Sequence, residues 1–299
     1  MHKFNEFPRS CSKKHLSNYI YLIPGLAYLI VAVGWPLIDA IYLSFTNAQI
    51  GEKVPKFVGL YNFINLLKDS TFLTAAYNSI LFTVVSVFLK MIIGIGIALL
   101  LYNFKQKWLR AIVLLPWVIP STFGILGWLW ILDPLYGSLN WLLIHSLGFS
   151  IPWLAEPFWA RTSVILVNTW RGIPFFAIGF LGGMIAIPRD IYEAAKIDGS
   201  NSIHSFWYIT LPLLMPVILI ISLFSIVMTI SDFSVVYILT RGGPINSTQV
   251  FATLTYQVGL SGAQIGRGAA ISLFILPVLI VLAIIMLRYV NPSKKGGLE

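Results

Sequence analysis

The segment Ile187-Pro188-Arg189-Asp190-Ile191-Tyr192-Glu193-Ala194-Ala195-Lys196-Ile197-Asp198-Gly199 is a polar island between two apolar blocks. Pro188 can open a helix, because the N–H it lacks would have no partner in a first turn. Asp190 then lies near the positive end of that helix. Ile191, Ala194, Ala195 and Ile197 give it a small, flat apolar face, and Gly199 stops it where a positive φ is needed. Asn201 or Ser202 can cap a second helical stretch containing Phe206 and Ile209, which runs into Leu211-Pro212-Leu213-Leu214-Met215-Pro216 and the next apolar block. The expected unit is a helix–Gly–helix elbow. Alanines at the centre of a short exposed helix suit docking into a groove on another protein.

Outward from this island the chain is apolar. Of its 299 residues 58% are hydrophobic and 10% charged, against about 25% charged in soluble domains. A helix crosses the hydrocarbon core with about 20 mainly apolar residues. Stretches 19–45, 75–102, 111–132, 162–187, 211–230 and 268–287 meet that length. Strand barrels would show short alternating segments instead. The fold class read from these blocks is an all-α membrane protein with six transmembrane helices and the cytoplasmic elbow. Its organisation is a tail over 1–18, a six-span domain over 19–290 that holds a coupling loop at 188–216, and a tail over 291–299. Residues 63–67 in the first outer loop have the pattern of a short amphipathic helix. Prolines at 24, 36, 116, 120, 174, 212, 216 and 277 should kink the spans. Gly179 and Gly183 have a spacing that admits a neighbouring helix closely.

The net charge of +9 reads as a topology signal rather than a nucleic-acid footprint. Twelve of the twenty Lys and Arg residues fall before residue 19, in 103–110, in 188–210 and after residue 287, and six fall in the alternate loops. The positive-inside rule therefore places both termini in the cytoplasm. The first apolar block is too long for the core of a signal peptide and reads as a retained anchor. A lone Cys11 allows no intrachain disulfide.

Glu193-Ala194-Ala195, Asp198-Gly199, Phe206, Ile209, Leu211-Pro212 and Pro216 resemble the EAA motif of binding-protein-dependent ABC importer permeases, with Ser200 where Ala is usual. Gly59-Leu60-Tyr61-Asn62-Phe63, Asp232-Phe233 and Leu239-Thr240-Arg241-Gly242-Gly243-Pro244 resemble the sugar-type, maltose-permease-like branch in its six-span form. The resemblance implies a type I importer permease in a bacterial or archaeal inner membrane, moving a sugar by alternating access. A polyol or glycerol-phosphate-type importer is the alternative within the family. The implied partners are a second homologous permease, two ATPase subunits that dock on Glu193, Ala194, Ala195, Asp198 and Gly199, and an external solute-binding protein. No phosphate loop of the G-x-x-x-x-G-K-[ST] type occurs in the chain, so ATP and Mg fall to the partner ATPase. No cofactor is expected in this chain, and it reads as a transport subunit rather than an enzyme.

Lys90 and Arg171 fall within spans, where a charge costs about 2.5–3.5 kcal/mol on insertion scales. Lys90 is expected to pair with another helix or with carbonyls of the partner permease. Asn168, Arg171, Gly172 and Phe175 share one helix face at spacings of i, i+3, i+4 and i+7, with Trp170 close by. The resemblance places solute contacts at these four positions and at Thr229 and Asp232. Arg171, Phe175, Thr229 and Asp232 depart in type from the family pattern, and an Arg171–Asp232 pair between helices is a purely structural alternative. Trp117, Trp128, Trp130, Trp141 and Trp153 read as an aromatic belt. The four histidines are dispersed and the carboxylates form no acid–base pair, so no catalytic or metal site is expected. A self-contained channel, a secondary transporter and an intramembrane enzyme are the rival classes, and none of them needs the elbow.

Overall fold

The computed structural model describes residues 21–290 apart from 53 and 105, and side chains up to 288. Both expected tails, and Cys11 with them, lie outside the described residues.

The elements are helices α1 (Ile23–Ser44), α2 (Tyr61–Lys68), α3 (Ser70–Asn103), α4 (Lys107–Val118), α5 (Ser121–Ile131), α6 (Ser138–Leu147), α7 (Pro157–Ala186), α8 (Arg189–Ile197), α9 (Ser202–Ile230), α10 (Ser234–Leu239), α11 (Phe251–Tyr256) and α12 (Ile265–Arg288). Helices α1, α3, α7, α9 and α12 are long and apolar enough to cross a membrane. The sixth crossing is built differently from the other five. The apolar stretch 111–132 is not one straight helix but the pair α4 and α5, bent by 92° at Ile119-Pro120. A proline ring disfavours helical geometry in the residue before it, and Ile119 is extended at φ −73°, ψ 125°. Pro116, four residues earlier, has already removed a backbone donor inside α4.

Two other prolines act more gently. Wide turns at Ile30–Gly34 and Phe206–Thr210 each end two residues before a proline, with Trp35 N–H reaching Ile30 O and Leu211 N–H reaching Phe206 O. Pro36 and Pro212 cannot close the α-turn behind them, and one widened turn absorbs the mismatch without a break. The second span begins at Ser70, earlier than expected, because the Asp69 carboxylate caps it by accepting from Thr71 N–H at 2.8 Å. The amphipathic segment at 63–67 is part of helix α2.

Helices α3, α7 and α9 form the centre of the bundle. At one level Phe82, Ile125, Val164, Val167, Val235 and Val236 pack together. At another, Val87, Leu101, Phe176, Phe180, Leu181, Leu214 and Ile221 do so. Gly179 and Gly183 let α9 close in on α7: a Cβ at Gly183 would stand 2.5 Å from Leu214 Cδ1. Between the two apolar cores lies a polar layer. It holds buried Lys90 from α3, Asn168 and Thr169 from α7, Thr229 from α9 and Asp232 just beyond α9.

Candidate functional site: a polar layer at mid-bundle and an exposed elbow

The polar layer opens into a cavity of about 360 Å³, within the range of small-molecule sites. Asn168, Arg171, Gly172, Phe175 and Thr229 line it. The broken third span supplies a further wall of Pro116, Trp117, Ile119, Pro120 and Ser121. A straight helix over 111–132 would not turn these residues toward α7, so the bend shapes the site. Aromatic faces continue around it, with Trp117 and Phe175 rings at 5.9 Å and Phe175 and Phe224 at 5.3 Å. Lys90 also lines the cavity.

Asp232 does not line it. Its Oδ2 accepts from Arg171 Nη2 and from Asn168 Nδ2, the latter at 2.9 Å. Its Oδ1 accepts from Ser234 N–H at 3.0 Å, at the start of α10. The pairing that stood as the structural alternative therefore forms, and Asp232 sits behind the cavity wall as the anchor of Arg171. A carboxylate oxygen can only accept, so the Asn168 side chain must present its NH₂ to Asp232. Its Oδ1 is then turned elsewhere, buried and without a hydrogen-bond partner. An unpaired buried acceptor costs about 1–3 kcal/mol, and a hydroxyl donor would satisfy it.

Lys90 reaches across from α3 and donates from Nζ to Thr229 Oγ1 at 3.0 Å. This is a pairing with another helix, as the sequence led one to expect, yet the same lysine faces the cavity. Gly172 makes the crossing possible. A Cβ on Gly172 would lie 2.5 Å from Lys90 Cε, closer than carbon atoms approach. The expected stripe of contacts thus divides: Gly172 is a notch for a lysine, Asn168 is buried, and Arg171 and Phe175 are half-buried against the cavity. Trp170 is turned away, its ring meeting Trp128 edge-on at 5.7 Å. Of the expected belt, Trp117 lines the cavity and Trp153 is buried, donating from Nε1 to Asn140 Oδ1 at 3.0 Å. Sequence reading missed Trp117, Ser121 and Ser225 as cavity residues. The signal for the first two was the Pro116–Pro120 spacing, four residues apart, which marks the break that exposes them.

The elbow stands clear of the bundle. Helix α8 ends in a complete Schellman pair, with Gly199 N–H on Lys196 O at 3.2 Å and Ser200 N–H on Ala195 O at 2.9 Å. Gly199 itself has φ +83°. Asn201 Oδ1 caps the second limb by accepting from His204 N–H at 2.8 Å. The limbs are tied by Tyr192 Oη to Thr210 Oγ1 at 2.9 Å. Tyr192 and Ala195 are half-buried on the inner side, while Ile191, Glu193, Ala194, Ile197 and Asp198 are exposed. Ile197 is 87% exposed. An apolar face left open on a short helix is a surface that gains by being covered.

Residues 90–296 match the family described as binding-protein-dependent transport system inner membrane component. The chain is similar to the sulfoquinovosyl glycerol transport system permease protein of Agrobacterium fabrum, at 31% identity over 91% of this chain and 89% of that one. It is 32% identical to the trehalose/maltose transport system permease protein of Thermococcus litoralis, over 91% of this chain and 92% of the other. Among solved structures, a bacterial ABC transporter involved in the import of the acidic polysaccharide alginate superposes with a TM-score of 0.75 at 23% identity, covering 96% of this chain and 98% of that chain. At that identity the likeness speaks for the fold.

Proposed function

Since the chain belongs to the family of binding-protein-dependent transport system inner membrane components, we propose that it forms part of the membrane path of an ATP-driven importer whose solute is a sugar. The observation that carries this reading is the mid-bundle cavity. There Asn168, Thr229 and the Trp117 and Phe175 rings line one space. Hydroxyl groups need fixed donors and acceptors, and the apolar faces of a sugar ring need aromatic planes. The curated relatives are named for sulfoquinovosyl glycerol and trehalose/maltose, which agrees with that chemistry. A polyol or glycerol phosphate is the second reading, favoured by the two cationic side chains on the cavity wall.

The chain works as one subunit of an assembly. Its elbow, with Glu193, Ala194, Ala195, Asp198 and Gly199, docks on a cytoplasmic ATPase, two copies of which bind ATP and Mg and hydrolyse the nucleotide. Helix α1 has no buried residue over its central window, so its faces are left for lipid and a second, homologous permease. An external solute-binding protein delivers solute to the end of the bundle opposite the elbow. Arg189 and Lys196 on the elbow and Arg288 at the end of α12 support a cytoplasmic elbow and C-terminus, and an even number of crossings then returns the N-terminus to the same side. Residues 188–216 are the coupling unit of this single six-span domain.

Reconstitution tests the proposal. The chain, its partner permease, both ATPase subunits and the binding protein, placed in proteoliposomes, should take up labelled sugar only with ATP and the binding protein present. Uptake by this chain alone, without ATP, would make it a channel or secondary transporter instead.

A further inference from the structure

The charges around the cavity do not cancel. Lys90 and Arg171 both line it, and none of the described residues lining it is acidic. Asp232 stands behind the wall with both oxygens engaged, Oδ2 by Arg171 and Asn168 and Oδ1 by Ser234 N–H. The Lys90 ammonium has three N–H donors. Among the described residues its one hydrogen-bond partner is the neutral Thr229 hydroxyl. Lys90 is 3% exposed, so little water compensates it. The Lys90 amine is thus held inside the bundle, and no carboxylate among the described residues forms an ion pair with it.

The fold also makes room for it. The Lys90 stem crosses α7 where Gly172 offers no side chain; a Cβ there would stand 2.6 Å from Lys90 Cδ and 3.1 Å from Nζ. Methionine would fill the same notch with no charge to bury. From this geometry we infer that the cavity selects solutes bearing an anionic group, with Lys90 as the residue that meets the anion. Arg171 is neutralised by Asp232 and serves the hydroxyls. This rests on the sugar reading and narrows it to acidic sugars, whose anion is a carboxylate, sulfonate or phosphate.

The test uses the complete importer in proteoliposomes with its binding protein. The solutes are digalacturonate, sulfoquinovosyl glycerol, glucose 6-phosphate, glycerol 3-phosphate and maltose. An acidic sugar should be taken up in preference to maltose, and which one identifies the anion. Lys90→Met should lower that uptake at least tenfold, while stimulation of ATP hydrolysis by the loaded binding protein persists. Should Lys90→Met fail to assemble, Gly172→Ala keeps the charge but displaces the ammonium, and it should lower acidic uptake in the same sense. Uptake of maltose alone keeps the sugar reading and overturns the anion. Uptake of glycerol 3-phosphate alone keeps the anion and replaces the sugar, and uptake of none overturns both. Acidic uptake unchanged in Lys90→Met, or lost together with ATPase stimulation, would make Lys90 a structural bridge to Thr229 or to a partner subunit and end the proposal.

Discussion

The elbow and the polar layer are built on opposite principles. The elbow is exposed and made within one short run of chain, and its shape is held by backbone hydrogen bonds around a single positive-φ residue. The polar layer is buried, and the bonds between its side chains join elements distant in sequence: Asn168 to Asp232 across 64 positions and Lys90 to Thr229 across 139. A change in the elbow should therefore alter how the molecule couples to a partner while leaving the bundle standing. A change in the layer should alter the bundle and the solute path together. The two regions are separable by experiment because assembly and uptake read them differently.

Gly199→Val should produce the largest loss and the cleanest separation. Nothing lies within 4 Å of the added Cβ, so no packing is disturbed. The penalty is the backbone alone, about 1–3 kcal/mol for a β-branched residue held at positive φ. The chain can escape by swinging the second limb, and uptake in proteoliposomes should be abolished with insertion and permease pairing intact. Gly199→Asn tolerates a positive φ and should recover most of the uptake. Wild-type uptake in Gly199→Val would remove the elbow from the coupling path.

Asp232→Ala should come next, and here stability moves too. It strips the partner from Arg171 and from the Asn168 amide, and each hydrogen bond to a charged group is worth about 1.5–3 kcal/mol. Arg171 is partly open to the cavity, at 26% side-chain exposure, so some of that loss is recovered by solvation. A fall in the melting temperature of the purified permease, together with reduced uptake, is the expected pair of results. Asp232→Asn keeps an acceptor and should melt closer to wild type. A variant that loses uptake at unchanged stability would place Asp232 in contact with solute rather than behind the wall.

The same contrast explains what could be read from the chain alone. Pro188, Gly199 and Asn201 act on backbone within a few residues of themselves, so the elbow was legible down to its positive φ and its cap. Helical spacing put Asn168, Arg171, Gly172 and Phe175 on one face, but spacing is silent about what stands opposite. That Lys90 would occupy the space at Gly172, and that Asp232 would turn away from the cavity, depend on how three helices pack. The broken span was hidden because hydropathy continues unbroken through Ile119-Pro120, and only the geometry of the residue before proline turns the chain there.

Asn168→Ala probes the layer without touching its ion pair. The substitution removes the bond to the Asp232 carboxylate, a loss of about 1.5–3 kcal/mol, and it also removes the unpaired Oδ1. The second effect offsets part of the first, so the melting temperature should fall less than in Asp232→Ala. Uptake should still drop severalfold, because an amide that lines the cavity is gone. Equal uptake in wild type and Asn168→Ala would mean that solute passes without using this side chain.

Asn201→Ala should have the smallest effect and sharpens the picture of the elbow. The side chain accepts one bond from His204 N–H, and losing such a cap costs about 1 kcal/mol. The first turn of α9 does not depend on that bond alone. Ser200 Oγ meets Ser205 Oγ at 2.9 Å, and Tyr192 holds Thr210 from the other limb. The turn should therefore fray part of the time rather than redirect the limb. A cost of that size corresponds to about a fivefold shift in population at most. Docking on an ATPase, as proposed above, would favour the ordered form, so the loss in sugar moved per ATP hydrolysed should be smaller still. Asn201→Ser, which keeps a capping oxygen, should be indistinguishable from wild type. If Asn201→Ala were as damaging as Gly199→Val, the second limb would be held by its cap rather than by the backbone turn at Gly199. The elbow would then have its hinge two residues later than the Schellman geometry places it.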